Sequence, residues 1–332
     1  MLFITNRMPK QSARSRAGRR IDFDYKNTDV SKWLYFCERH GVDEYQEIMS
    51  DAFFSRLKHL PDSSQLLFYI HGFNCNMEPD VFSQAETLQA LLNSDGRQRV
   101  CVIPLIWPCD DDAPLQILDD YWDDQRSADF SGIAFSRLLD MFDEWRHAPE
   151  QQAKPCLRRM NVLAHSMGNR VLVNTLHYWV DFHGYGGMPM LFKNVFMIAA
   201  DVNNRVLERG HKGEYVPDSA KNVVIYYASD DWAMSASKVA NLKNRIASRR
   251  LGMTGPAQPQ LLPSQRVFSI DCDAFNSRFD SKGHTYFLTN AQGEVSPIIE
   301  HMAGILDHGV VAPAFWLPNE MDNSSSVSPT DE

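Results

Sequence analysis

Apolar and polar positions alternate along this chain in two rhythms. Short apolar runs predict strands at Leu2 to Thr5 and Trp33 to Cys37. Tyr45, Ile48, Met49, Ala52 and Phe53 recur at helical spacing and predict a helix over Asp43 to Lys58. Gln65 to Ile70 is a nearly continuous apolar run, as expected for a strand covered on both faces. Val81, Ala85, Leu88 and Leu92 mark a helix over Pro79 to Leu92, and Val100 to Trp107 is another buried strand closed by Pro108. Phe135, Leu138, Phe142 and Trp145 predict an amphipathic helix. After Pro155 an apolar strand runs into Ser166, and a helix follows over Met167 to Val180. Further strands are predicted at Asn194 to Ala200, Asn222 to Ala228 and Val267 to Ile270. Helices are predicted at Ala233 to Leu242 and Ser296 to Leu306, with a long loop over 248–264. Strands alternating with helices imply a mostly parallel central sheet with helices on both faces. Residues 1–310 read as a single α/β domain, 110–130 as an acidic insertion or flap, and 318–332 as a disordered polar tail.

Composition narrows this picture. The 332 residues are 44% hydrophobic and 23% charged, which are globular values. A net charge of −9 argues against nucleic-acid binding, which rests on neutralising phosphates. Six basic residues and no acid stand among the first twenty, read as a solvated loop, with a transit peptide or nucleic-acid arm as alternatives. Asp110 to Asp129 holds eight aspartates against Arg126 alone, either a solvated loop or a flap that discourages anions. No apolar run approaches the roughly 20 residues of a membrane span, and the N-terminus lacks an apolar signal core. The six cysteines form no C-x-x-C pair and fit free thiols in a reducing compartment, so a cytoplasmic location is expected. HExxH, G-x-x-x-x-G-K and G-x-G-x-x-G are all missing, so neither metal nor cofactor is expected.

Ligands of open α/β sheets bind beyond the carboxyl ends of the strands. His71-Gly72-Phe73-Asn74, Ser166, Asp201, Asp230, Asp231 and His284 all fall there on the strand reading. Ala164-His165-Ser166-Met167-Gly168 ends a strand and opens a helix, so Ser166 is either a helix N-cap or a nucleophile on a sharp turn. Ala164 stands where the usual pattern has glycine, and its methyl group is expected to crowd the turn. A serine hydroxyl needs a base, and the base needs an orienting acid. Ser166, Asp231 and His284 appear in the order serine, acid, histidine; Asp230 and Asp201 compete for the acid. His284 is the histidine in the loop after the last strand, and His165 reads as packing or support. Met167 N–H, at the start of a helix, and Phe73 N–H, in the His71-Gly72 turn, are the candidate oxyanion donors. Trp107 and Trp122 either line a pocket or belong to the core.

These motifs carry a resemblance. The opening I-T-N-R, H-G-F-N, the W-P after the next strand, A-H-S-M-G-N-R, A-A-D and the late G-H-T-Y-F resemble a poorly characterised bacterial branch of the α/β-hydrolase superfamily, over roughly Leu2 to Leu306. The resemblance implies an α/β-hydrolase fold and a Ser166–Asp231–His284 triad, Asp231 standing two residues before Ala233 as the usual acid does. It leaves the substrate open, because this fold hosts many chemistries. The expectation is a serine hydrolase cleaving small-molecule carboxylic esters through an acyl-enzyme. A lipase or thioesterase with the same residues, and a non-catalytic binding protein of this fold, are the alternatives.

Overall fold

The most apolar runs of the chain are its central strands. In the computed structural model, which describes residues 1–25, 31–109, 117–183, 187–231 and 249–317, all six residues of β4 (Gln65–Ile70) and of β6 (Met160–His165) are buried. Around them lie β1 (Leu2–Thr5), β2 (Tyr35–Gly41), β3 (Glu44–Glu47), β5 (Val100–Ile106), β7 (Phe192–Ile198), β8 (Ala220–Tyr227) and β9 (Val267–Asp271). The described strands form one sheet in the order β3-β2-β1-β5-β4-β6-β7-β8-β9. The pairs β1–β2 and β2–β3 are antiparallel and all others parallel. A mostly parallel sheet with helices packed on both faces is the expected α/β architecture.

Period-two alternation sends side chains to two cores. Leu66, Phe68 and Ile70 face α1 (Met49–Lys58), α3 (Ile117–His147) and α4 (Gly168–His183). Leu67 and Tyr69 face α2 (Phe82–Leu92) and α5 (Pro297–His308). Among the described residues no helix is long and apolar enough to cross a membrane.

Register sets where the loops emerge. Ile70 pairs with Ala164, His165 with Ile198, and Ile198 with Tyr226, so the chain leaves these four strands along one edge. Near the opposite edge a polar ladder crosses the core. Asn161, Asn194 and Asn222 are register partners on β6, β7 and β8. Asn194 Nδ2 donates to Asn161 Oδ1 and Asn222 Nδ2 to Asn194 Oδ1, each at 2.7 Å, while Asn161 Nδ2 donates to the Leu66 carbonyl at 3.1 Å.

Several expectations change. The helix expected over Asp43 to Lys58 is a strand, β3, followed by a shorter helix, α1. Tyr45 and Glu47 point to one side and pair with Arg39 and Cys37 of β2, and Met49 (φ 66°) breaks the backbone between strand and helix. The acidic segment is not a loop throughout: α3 begins at Ile117. Aspartates suit the positive end of a helix. The loop after residue 248 contains helical turns at Leu251–Thr254 and Pro259–Leu261. The helix expected over Ala233 to Leu242 and the tail from Pro318 lie outside the described residues.

Candidate active site at the strand ends

Ser166 occupies the turn between β6 and α4 with φ 51°, a left-handed conformation that non-glycine residues adopt at a cost of about 1–3 kcal/mol. Four hydrogen bonds hold it there. Its N–H donates to the Ile198 carbonyl at 3.0 Å, and its own carbonyl accepts from Asp201 N–H (3.2 Å), Asn169 N–H (3.1 Å) and Asn169 Nδ2 (3.1 Å). Asn169 Nδ2 also reaches the Ala164 carbonyl at 2.9 Å.

The close approach falls at two glycines. A Cβ on Gly168 would lie 2.5 Å from both the Ile70 and His71 carbonyl oxygens, and one on Gly72 would lie 3.0 Å from Ser166 Cβ. Ala164 is an ordinary buried strand residue paired with Ile70 and Met197, so the strained backbone is at Ser166 itself.

His284 and Asp231 meet. His284 Nδ1 and Asp231 Oδ2 are 2.7 Å apart; the aspartate is fully buried and the imidazole 15% exposed. The other acids are engaged elsewhere. Asp230 is exposed and accepts from Asn276 Nδ2, and Asp201 is buried in an ion pair with Arg250 at 3.1 Å.

His165, next to Ser166 in the chain, packs against His284. Its ring centroid is 4.9 Å from that of His284 and 5.0 Å from Phe287, and its Nε2 donates to the His284 carbonyl at 3.3 Å. Burial holds its pKa down at about 3, so the ring stays neutral. Ser166 is 4% exposed, and its hydroxyl has no hydrogen-bond partner among the described residues.

His71 braces the turn that faces Ser166. Its ring stacks on Trp107 at 5.2 Å and 5°. Nε2 accepts from Trp107 N–H at 3.2 Å, so Nδ1 carries the proton and donates to the Gly72 carbonyl at 2.9 Å. Trp107 Nε1 donates back to the His71 carbonyl at 2.9 Å. Burial pushes the His71 pKa down to about 3, which makes it a neutral support. Phe73, half-buried, follows this turn, and Met167 N–H stands at the positive end of α4.

A family model described as "alpha/beta hydrolase of unknown function (DUF900)" matches residues 48–299. The chain belongs to this family. Comparison with curated proteins and with solved structures gave no match. The segment matched to the DUF900 hydrolases contains Gly72, Ser166, Asp231 and His284, and leaves β1, β2 and β3 outside it.

Two residues of this α/β hydrolase escaped the sequence reading. Asp280 accepts from the backbone N–H groups of Lys282 (3.0 Å), His284 (3.1 Å) and Thr285 (2.8 Å) and so folds the histidine loop. Burial alone would raise its pKa, but these three donors and the His284 ring outweigh it and hold the carboxyl below its usual range. An aspartate shortly before a glycine is a turn signal, and Gly283 takes φ 68°. The second is Asn169, whose amide bonds stitch the elbow. Trp107 is fully buried and stacked on His71, as a core residue would be; the Trp122 side chain is outside those described. Cys75 and Cys109 pack beside the His71 turn, and burial raises both thiols, Cys75 to about 12, which keeps them protonated. Among the described residues no cluster of His, Cys, Asp or Glu could hold a metal.

Proposed function

We propose that this α/β hydrolase is a serine esterase that cleaves carboxylic esters through an acyl-enzyme. The observation that carries the reading is the 2.7 Å contact from His284 Nδ1 to a fully buried Asp231 carboxylate, beside an elbow that holds Ser166 at positive φ. With Nδ1 bonded to Asp231, His284 presents Nε2 to the serine. Ser166 Oγ attacks the ester carbonyl and His284 takes its proton. Asp231 orients the ring and stabilises its cation. Met167 and Phe73 N–H groups receive the oxyanion. His284 then protonates the leaving alcohol, and a water molecule deprotonated by His284 releases the acid. Residues 1–310 are read as one domain around the single sheet, and the free cysteines support a cytoplasmic location.

Ser166→Ala tests the mechanism: it is expected to abolish hydrolysis of p-nitrophenyl acetate and labelling by a fluorophosphonate probe while the far-UV spectrum is unchanged. Retained hydrolysis in that variant overturns the mechanism. Lipase and thioesterase readings use the same residues, and a p-nitrophenyl chain-length series run beside acyl-CoA substrates separates them. A folded wild-type protein that takes no label at Ser166 points to a non-catalytic binding role instead.

A further inference from the structure

Three consecutive residues after β8 each meet a side chain of the segment that follows β9. Ser229 N–H and Oγ donate to the two carboxylate oxygens of Asp273, each at 2.6 Å. Asp230 accepts from Asn276 Nδ2, and Asp231 meets His284 Nδ1 at 2.7 Å. The first two contacts have no part in the hydrolytic scheme, yet they flank the third.

Asn276 has a second attachment. It opens a one-turn helix, Asn276–Phe279, and is fully buried. The Nδ2 that reaches Asp230 also faces the Gly283 carbonyl, at a longer 3.4 Å. Both neighbours are acceptors, so the amide must present its nitrogen to them. Gly283 stands immediately before His284, and Asp230 immediately before Asp231. One NH2 group therefore joins the residue before the imidazole to the residue before the buried acid. The two loops fit closely at this point. A Cβ on Gly283, which takes φ 68°, would lie 2.9 Å from Asn276 Nδ2, 3.4 Å from the Asp230 carbonyl oxygen and 3.7 Å from Asp231 Cα. Asp280 folds the histidine loop from within, and Asn276 ties that folded loop to the acid turn. Burying an amide costs free energy unless its hydrogen bonds are made. Here those bonds run to the two flanking residues.

We propose that Asn276 is a positioning residue that sets the Asp231–His284 contact by holding the acid turn against the histidine loop. Its effect on catalysis rests on the serine-esterase reading; its effect on the contact does not.

The test measures kcat and KM for p-nitrophenyl acetate per folded molecule, in the full chain. In Asn276→Ala and Asn276→Asp, kcat is expected to fall about 10–100-fold with KM within about twofold, the order of loss that a misplacement of about 1 Å causes. Asn276→Asp sets two carboxylates against each other. Adding Asp230→Asn restores a donor–acceptor pair with its direction reversed, and is expected to regain at least about fivefold in kcat. The same Asp230→Asn change added to Asn276→Ala regains nothing. A loss of packing alone would not respond to the swap. Crystal structures of wild type and Asn276→Ala read the contact without turnover: His284 Nδ1 to Asp231 Oδ2 is expected to lengthen past about 3.5 Å in the variant. The proposal is overturned if that contact keeps hydrogen-bond length, or if the swap recovers no more than the alanine background does. Should both Asn276 variants fail to fold, the exposed Asp230 decides. Asp230→Ala, which removes the acceptor, is expected to have a kcat at least about fivefold below that of Asp230→Asn, which keeps one, and equal rates overturn the proposal. A wild type that cleaves no ester sinks the esterase reading alone, and the crystallographic comparison then decides the role of Asn276.

Discussion

Asp230 and Asp231 are neighbours with the same chemistry and opposite surroundings. One side chain faces solvent; the other is fully buried against His284. Hydrophobic pattern cannot separate two adjacent carboxylates at a strand end, because burial is decided by loops that arrive much later in the chain. Asp201 was equally ambiguous, since its partner Arg250 lies in the loop after residue 248. Asp231→Asn is expected to lower kcat for ester hydrolysis about 10³–10⁴-fold with the fold retained, by leaving the imidazole in the wrong tautomer. Asp230→Asn should stay within about twofold in the same assay. At the elbow, serine and glycine were legible as a motif, but which small residue matters was not. The clash distances answer that question: Gly168→Ala forces a methyl group against two carbonyl oxygens at 2.5 Å. It is expected to cost about 1–3 kcal/mol in urea denaturation and to displace Ser166, reducing kcat/KM more than a hundredfold.

The elements read most reliably from sequence were those buried on both faces. Gln65–Ile70 is so uniformly apolar that it admits no other reading, and its bounds agree with the structure residue for residue. The hairpin formed by β2 and β3 was missed because Tyr45, Ile48 and Met49 satisfy a helical period as readily as a pleated one. What selects the strand is pairing with β2, a long-range contact. The asparagine ladder was invisible for the same reason: three asparagines dispersed over some sixty residues become one structure only when β6, β7 and β8 come into register. Asn194→Leu removes the centre of that ladder and strands the Asn161 acceptor. The expected loss is about 2–4 kcal/mol, measured as a lower urea midpoint, with kcat per folded molecule unchanged because the ladder lies away from the serine edge.

For the molecule as a whole, the buried imidazoles set a direction for acid sensitivity. Burial lowers the pKa values of His71 and His165 from 6.5 to about 3. Between those limits the unfolded chain binds protons that the folded one refuses, so stability is full above pH 6.5 and falls on acidification by about 1.4 kcal/mol per pH unit for each ring. Asp280, depressed below its ordinary 3.8, adds a loss only in stronger acid. Urea midpoints measured from pH 7 to pH 5 should therefore decline, and His165→Gln should shallow the slope by about one proton's share. A flat profile in the wild type would contradict the neutral, buried state of both rings.

The way the elbow is held also bears on when activity can begin. Ser166 is bonded to Ile198, Gly168 presses on Ile70 and His71, and His165 holds the His284 carbonyl. These contacts reach from the first third of the polypeptide to its last sixth. During synthesis Ser166 leaves the ribosome well before the loop of His284 does, so a nascent chain carries the elbow without the imidazole that packs against it. On the serine-esterase reading, hydrolysis waits on translation through residue 284, and a product cut short before it is expected to leave p-nitrophenyl acetate uncleaved.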